Sequence, residues 1–249
     1  MVGNARSGGE ALLSVFEKIY VINLPSRADR RAEMTEQLGR IGLSLDHPDV
    51  ILFDAVRPEN KAEFPSIGTR GCYLSHLGVL EDALARDYGS FLVIEDDADF
   101  SVDFNARIES LAAQLNDRPW DIFYGWSPVT FHDAAEVGNT DLVVIAAEQG
   151  VIMLHFAGFK REAAVLAYPV LKAISERPMG DAIGGAMHVD GAYSWFRARN
   201  PLLTTLAAKY PLALQRSSRS DIQDLKWFDR IGLVRPLIAA LRRLKHGLK

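Results

Sequence analysis

Three short apolar runs, each ending at polar residues and each followed by a helical stretch or loop, constrain this chain more than anything else in it. Lys18-Ile19-Tyr20-Val21-Ile22-Asn23 stops at Leu24-Pro25. Val50-Ile51-Leu52-Phe53-Asp54-Ala55 stops before a polar, proline-containing loop from Arg57 to Thr69. Phe91-Leu92-Val93-Ile94 runs straight into acid. Runs of this length, rich in β-branched and aromatic residues, read as strands. Phe91 to Ile94 lacks the polar alternation of a half-wet strand, so it is expected mid-sheet, covered on both faces. Between the runs the period changes. Met34, Leu38 and Ile41 share one face of a helix over Arg27 to Ile41, with Ser26 at the N-cap position and Gly42 as its stop. Leu74, Leu77, Leu80, Ala83 and Leu84 give a helix over Cys72 to Arg86. Strands alternating with helices imply βαβ units and a parallel sheet, hence an α/β fold.

Further along, Phe104 to Leu115 reads as a helix, Asp121 to Tyr124 as a strand, and residues 125–140 as a long polar loop. Leu142 to Ala147 and Val151 to Phe156 read as two adjacent strands, which would make the sheet mixed. Glu162 to Ser175 reads as a helix kinked or begun at Pro169, and Asp190 to Arg199 as a short helix. The expected division is a disordered or loosely packed stretch over 1–16, one domain over 17–228, and a basic amphipathic tail over 229–249. The 249 residues, 48% hydrophobic and 24% charged, suffice for one well-buried core and argue against disorder. The net charge of −4 argues against a nucleic-acid partner. One cysteine, Cys72, leaves neither a disulfide framework nor a cysteine-based zinc site and fits a reducing cytosol. The N-terminus does not read as a signal peptide, and no run of 18 apolar residues suggests a membrane span. The tail over 231–249 has the apolar–basic spacing of a helix that lies on an anionic membrane surface. A helix docked on its own domain explains the spacing equally.

Glu95-Asp96-Asp97-Ala98-Asp99 sits at the carboxyl end of the third run, the end where open α/β sheets bind ligands. Two unit charges ~4 Å apart repel by roughly 1 kcal/mol in water and about 4 kcal/mol at an effective dielectric near 20. A hard divalent cation, Mg²⁺ or Mn²⁺, removes that repulsion and can offset charge on a leaving diphosphate. Spacing of i and i+2 aims Glu95 and Asp97 the same way as metal ligands. Asp96 then faces elsewhere, toward a donor sugar or a backbone donor, and Asp99 is a further ligand candidate. A solvated acidic turn is the plain alternative.

Several segments together resemble glycosyltransferase family 25. Tyr20-Val21-Ile22-Asn23-Leu24-Pro25-Ser26-Arg27-Ala28-Asp29-Arg30 is similar to its opening (I/V)-N-L-x-x-R-x-D-R block. Gly71-Cys72-Tyr73-Leu74-Ser75-His76 is similar to its G-C-x-x-S-H block, and Leu92 to Asp97 to its hydrophobic-hydrophobic-E-D-D block. Val189-Asp190 and the segment Pro211, Gln215, Ser220-Asp221-Ile222 resemble its C-terminal blocks. The similarity runs in order from about residue 18 to 222. Phe156-Ala157-Gly158, preceded by His155, stands where many members carry a His-Ala-Tyr-like stretch. The resemblance implies a GT-A-like fold with a mixed, mostly parallel sheet flanked by helices, a UDP-sugar donor, a Mn²⁺-type site, and transfer with inversion. It also implies a hexose, galactose first, passed to a cell-surface or lipid-linked glycan acceptor of the lipopolysaccharide kind by a cytoplasmic or membrane-peripheral enzyme.

The remaining candidates follow from position. Asn23, Leu24, Arg27 and Arg30 come after the first strand, where a guanidinium fork and free helix N–H groups suit phosphate. N-capping and surface ion pairs would explain them equally well. Asp54 and Ala55 end the second strand and could meet base or ribose. Ser75 and His76 are expected to touch the donor, and Cys72 is expected to be a small buried hydrophobe. Asp190 is the expected general base, taking the acceptor hydroxyl's proton. His188 is a candidate third metal ligand. Gln215, Ser220 and Asp221 would form a polar loop over the donor, and Gly180, Gly184 and Gly185 a mobile loop before Asp190. Two rival readings stand: a metal-dependent nucleotidyltransferase or phosphohydrolase, against which there is no glycine-rich phosphate loop, and a non-catalytic module that binds nucleotide-sugar.

Overall fold

A computed structural model describes residues 6–128, 135–136 and 140–216. The chain begins with α1 (Gly8–Leu13), β1 (Lys18–Asn23), α2 (Ala28–Arg40), β2 (Val50–Asp54), α3 (Ile67–Ala85), β3 (Ser90–Glu95) and β4 (Ala98–Phe100). It continues with α4 (Phe104–Asn116), β5 (Ile122–Tyr124), β6 (Ala135–Glu136), β7 (Leu142–Ile145), β8 (Phe156–Lys160), α5 (Arg161–Ser175), α6 (Val189–Arg199), β9 (Thr205–Ala208) and β10 (Ala213–Gln215). The main sheet has the order β2-β1-β3-β8-β5-β9-β7-β6. β2, β1, β3, β5, β9 and β6 run one way, and β8 and β7 run against them. The sheet is therefore mixed and mostly parallel in direction, as expected of a GT-A-like α/β fold.

Alternation along the strands builds a core on each face of the sheet. On one face, Ile19, Val21, Leu92 and Ile94 meet Met34 and Leu38 of α2, Leu12 of α1 and Ile108, Leu111 and Leu115 of α4. On the other, Tyr20, Phe91 and Val93 meet Tyr73, Val79 and Leu80 of α3, Ala163 and Leu171 of α5, and Tyr193 and Phe196 of α6. β3 is buried from Ser90 to Ile94, which is why its sequence is continuously apolar.

Five local readings change. Residues 6–16 are ordered: Ser7 and Glu10 form a reciprocal capping box for α1, and Ala11, Leu12, Val15 and Phe16 are buried. The Ser-x-x-Glu signature explains why this stretch is not the loose leader expected over 1–16. The N-cap of α2 is Arg27, without a side-chain cap bond, and Ser26 is exposed. α3 starts at Ile67, capped by Ser66, several residues before the expected Cys72. Its early glycines hide the helical period, and Gly71 is required because a Cβ there would stand 2.7 Å from the Val56 carbonyl oxygen. α5 runs unbroken through Pro169. The expected strand over Val151 to Phe156 lies later, at β8, and is not adjacent to β7: β8 sits between β3 and β5, while β7 pairs with β9 and β6. Gly158 in mid-strand argues against strand from sequence, yet the Phe16 ring fills the space its side chain would occupy. β9 had no sequence signal strong enough to be expected. Ser220, Asp221 and the tail over 229–249 lie outside the described residues, as does part of the 125–140 loop. Among the described residues, no helix is long and apolar enough to cross a membrane.

Candidate functional site

The parallel strands β1, β2 and β3 end together, at Asn23, Asp54 and Glu95. Because β8 is reversed, His155 immediately before it lies at the same edge, and the Glu95 N–H donates to the His155 carbonyl at 3.0 Å. The acidic cluster opens from this edge, and strand alternation sends its first two carboxylates to opposite faces.

Glu95 points to the α3 side. His76 Nε2 lies 2.9 Å from Glu95 Oε1, and since a carboxylate only accepts, the imidazole N–H donates. Cys72, one turn earlier on α3, donates its Sγ–H to the same oxygen at 3.7 Å. Burial disfavours the Glu95 carboxylate more than any single neighbour favours it, but the His76 hydrogen bond, the His76 and His155 imidazoles and the Cys72 thiol together outweigh burial and hold the group below the usual range. Burial, together with the negative charges of Glu95, Asp190 and Asp97, pushes the Cys72 thiol up.

Asp96 points to the α2 side and is buried. Asn23 Nδ2 donates to Oδ2 at 2.7 Å and Arg30 Nη1 to Oδ1 at 2.8 Å. The two ends of the first sequence block therefore converge on the middle carboxylate of the third. Arg30 also stands 3.7 Å from Asp97. Asp97 receives Gln215 Nε2 at 3.2 Å on Oδ2, while its buried Oδ1 has no hydrogen-bond partner. Burial, with Glu95 and Asp96 alongside, raises the Asp97 carboxyl to about 7, against the opposing pull of Arg30. Asp99 departs from the cluster: it lies in β4, opposite Leu214 of β10, and pairs with Arg216 through Nε at 2.9 Å. Arg216 also reaches Glu33. Gln215, expected in a loop, is the last residue of β10, and the β4–β10 ladder is what carries it to Asp97.

The opposite wall comes from residues 151–155 and α6. Asp190, in the first turn of α6, accepts the Met153 N–H at 2.9 Å. Met153 holds φ at +74°, a left-handed conformation that costs a non-glycine residue free energy and concentrates at functional sites. Burial raises the Asp190 carboxyl, the Met153 N–H opposes the rise, and the charge of Glu95 adds to it. Glu95 and Asp190 thus face one region from β3 and α6. His155 donates Nε2–H to the Ala213 carbonyl at 3.1 Å, burial lowers its affinity for a second proton, and the buried Nδ1 has no partner. His188 is the N-cap residue of α6 and is half-buried.

The other expected donor contacts have local roles. The Leu24 carbonyl accepts from the Arg27 N–H at 2.8 Å in the turn after β1. Arg27 binds Asp29 through Nε and Nη2. Asp54 is exposed at the end of β2, and the Ala55 N–H donates to the Asn23 carbonyl at 2.9 Å. Ser75 is buried and doubly engaged: it donates to the Gly71 carbonyl at 2.7 Å and accepts from the Val56 N–H at 2.8 Å. These two bonds clamp the β2–α3 loop to the helix. Sequence reasoning passed over Met153, His155 and Arg216 as site residues and took Cys72 for packing. The Cys72–His76 spacing of four was the one signal available, since it puts both on one helix face.

The sequence model of glycosyltransferase family 25, described as an LPS biosynthesis protein family, matches residues 16–148, just over half the chain. The chain belongs to glycosyltransferase family 25. Among relatives, the human inactive glycosyltransferase 25 family member 3 is 30% identical over 127 residues, covering 44% of this chain and 21% of that protein. Procollagen galactosyltransferase 1-B of Xenopus laevis is 25% identical over 127 residues, with the same 44% and 21% coverage. The chain therefore spans about a fifth of the length of the curated relatives it matches. A solved glycosyltransferase involved in the glycosylation of the major capsid of PBCV-1 is 11% identical with a TM-score of 0.39, covering 77% of this chain and 92% of that one. The family 25 match contains the Asn23–Arg30 block, the Gly71–His76 block and the acidic cluster. Asp190 and Gln215 lie beyond it and join the site through α6 and β10.

Proposed function

We propose that this family 25 domain is a metal-dependent hexosyltransferase. It moves a sugar, galactose first, from a UDP-sugar to a hydroxyl of a cell-surface or lipid-linked glycan precursor, with inversion. One observation carries the reading: two carboxylates from different elements, Glu95 on β3 and Asp190 on α6, face one region beside the buried, half-partnered Asp97. The galactose and glycan parts rest on the family and on the printed name of the Xenopus relative.

The residues present fit a hard divalent cation. Asp97 Oδ1 is a buried oxygen without a donor, and burial, with the neighbouring negative charges, already pushes its carboxyl toward holding a proton. A cation removes both penalties. Glu95 and Asp97 would hold it. Asp99 is engaged by Arg216 and contributes only if that pair opens, and His188, at the N-cap of α6, would have to move in to join Glu95 and Asp97. Bound there, Mn²⁺ or Mg²⁺ supplies charge to the leaving diphosphate. Asn23 and Arg30 fix Asp96, which keeps the turn rigid. Asp190, raised by burial and aimed by the Met153 N–H, accepts the acceptor hydroxyl's proton. A base with affinity raised toward the working pH is better matched to that task than an ordinary carboxylate.

Thermal unfolding with UDP, GDP and CMP nucleotides and sugars, with and without Mn²⁺, tests the donor site. Ligand at a hundredfold excess over Kd stabilises by about 2.7 kcal/mol. A metal-dependent shift with a UDP-sugar is expected, and no shift with any nucleotide sinks the reading. Asp190→Asn should keep the shift while transfer falls by about 10²–10⁴. The word inactive in the human relative's name favours one second reading, a non-catalytic nucleotide-sugar module. That reading requires the same shift without UDP release in the presence of any acceptor.

A further inference from the structure

Cys72, His76 and Glu95 converge at the floor of the acidic cluster, and their ligating atoms all lie within 4.8 Å of one another. A single cysteine excludes a zinc site built on cysteines alone, but not one that draws its other ligands from imidazole and carboxylate. We propose that Cys72 Sγ, His76 Nε2 and Glu95 Oε1 form a site for a thiophilic divalent cation of the zinc class. Occupancy of that site inhibits the enzyme by taking Glu95 away from the hard metal.

The geometry is close to what such an ion needs. Bonds of about 2.0–2.3 Å to nitrogen, oxygen and sulfur in a tetrahedron set ligands about 3.3–3.7 Å apart. Here Sγ and Oε1 are 3.7 Å apart and Nε2 and Oε1 are 2.9 Å apart, so the His76–Glu95 pair must open by a few tenths of an ångström, while Sγ and Nε2, within 4.8 Å of each other, must settle to the same spacing. Two ligands are preset by the helix, four residues apart on one face of α3. The third is preset by β3, whose end is pinned by the Glu95 N–H to the His155 carbonyl. His76 is 2% exposed, while Cys72 and Glu95 are half-buried, leaving a path for entry. Thiolate and imidazole select zinc-like ions, whereas a site of carboxylates and water selects Mg²⁺ or Mn²⁺.

The protons balance simply. The ion displaces the thiol proton of Cys72, which leaves to solvent. His76 gives up the Nε2 proton it now donates to Glu95 and carries one on Nδ1, a buried atom without a hydrogen-bond partner. Glu95 exchanges two hydrogen bonds for one metal bond. No oxidant or second reactant is involved, and the fourth coordination position is left to water.

The binding half of this proposal stands on geometry alone. The inhibition half rests on the hexosyltransferase reading. The experiment separates them. The full chain, reduced and freed of metal, is titrated with Co²⁺, whose bond to a thiolate gives a charge-transfer absorption in the near ultraviolet. The band is expected in the native protein, displaced by Zn²⁺ but not by Mn²⁺. It should vanish in Cys72→Ser, and Zn²⁺ affinity should fall by more than roughly tenfold, the low end of what even an indirect partner of a metal ligand contributes. His76→Gln should weaken Co²⁺ binding while keeping sulfur ligation. Mn²⁺-dependent UDP binding in Cys72→Ser reports separately whether the fold and the donor site survive, and should lose its sensitivity to Zn²⁺. Absence of the band at millimolar Co²⁺, or its persistence in Cys72→Ser, overturns the site. A band with unimpaired UDP binding in the presence of Zn²⁺ overturns the inhibition.

Discussion

Replacing Arg30 by methionine should cost this domain more stability than any other single surface-side change near the cluster. Arg30 Nη1 is 2.8 Å from Asp96 Oδ1 and 3.7 Å from Asp97 Oδ2. The three side chains are 14%, 8% and 11% exposed, so water does little of the screening. At an effective dielectric near 20 these distances correspond to gross attractions of about 6 and about 4.5 kcal/mol. Much of that is offset by the cost of removing the charges from water, and the relevant figure is the penalty of stranding a buried carboxylate, about 3–5 kcal/mol. Methionine keeps the apolar stem but leaves Asp96 with only the Asn23 amide. At about 2–4 °C per kcal/mol for a domain of this size, Tm should drop by about 6–20 °C. Urea unfolding of Arg30→Met, Asp96→Asn and the double variant closes a cycle. The double variant should recover part of the loss, because neither charge is then stranded. A single-variant loss below about 1 kcal/mol, with additive effects, would mean the pair behaves as a solvent-screened surface contact and that no buried charge is stranded.

Asp97→Asn should change the pH dependence of stability. The folded carboxyl titrates near 7, above its unfolded value of 3.8, because burial, Glu95 and Asp96 outweigh Arg30 and Gln215. The folded state therefore holds the proton more tightly. That contribution is full below about pH 4 and is lost as pH rises to about 7, by up to about 4 kcal/mol. Urea unfolding in EDTA across this range should show the decline in the native chain and a flatter profile in Asp97→Asn; identical profiles would count against it. Gly71→Ala puts a Cβ 2.7 Å from the Val56 carbonyl and should destabilise by about 1–3 kcal/mol, read as a lower urea midpoint with unchanged slope. Ser75→Ala strands the Val56 N–H and should cost about 1–3 kcal/mol while leaving KM for the donor unchanged. A raised KM with unchanged stability would instead place Ser75 against the donor.

The strands β1, β2 and β3, helices α2, α4 and α6, and the stop at Gly42 (φ +80°) were legible because each depends on residues a few positions apart. The ordered family blocks and the acidic cluster were legible for the same reason. Where local signals misled, a distant partner explains it. Gly158 looks like a strand breaker until Phe16 is seen to occupy its side-chain space. The start of α3 looks like loop until Val56 is seen to press on Gly71.

From the sequence alone came the α/β class, the acidic turn at a strand end, and the alternation that turns Glu95 and Asp96 to opposite faces. The tertiary structure decided what each carboxylate meets. It placed Asn23 and Arg30 on Asp96, His76 and Cys72 on Glu95, Gln215 on Asp97 and Arg216 on Asp99. It also put β8 between β3 and β5, which carries His155 and Met153 to the site and lets Asp190 face Glu95. The physical reason is range. Periodicity and turn chemistry are written in neighbouring residues, whereas strand order and the helix that crosses a strand end are set by burying two whole faces at once.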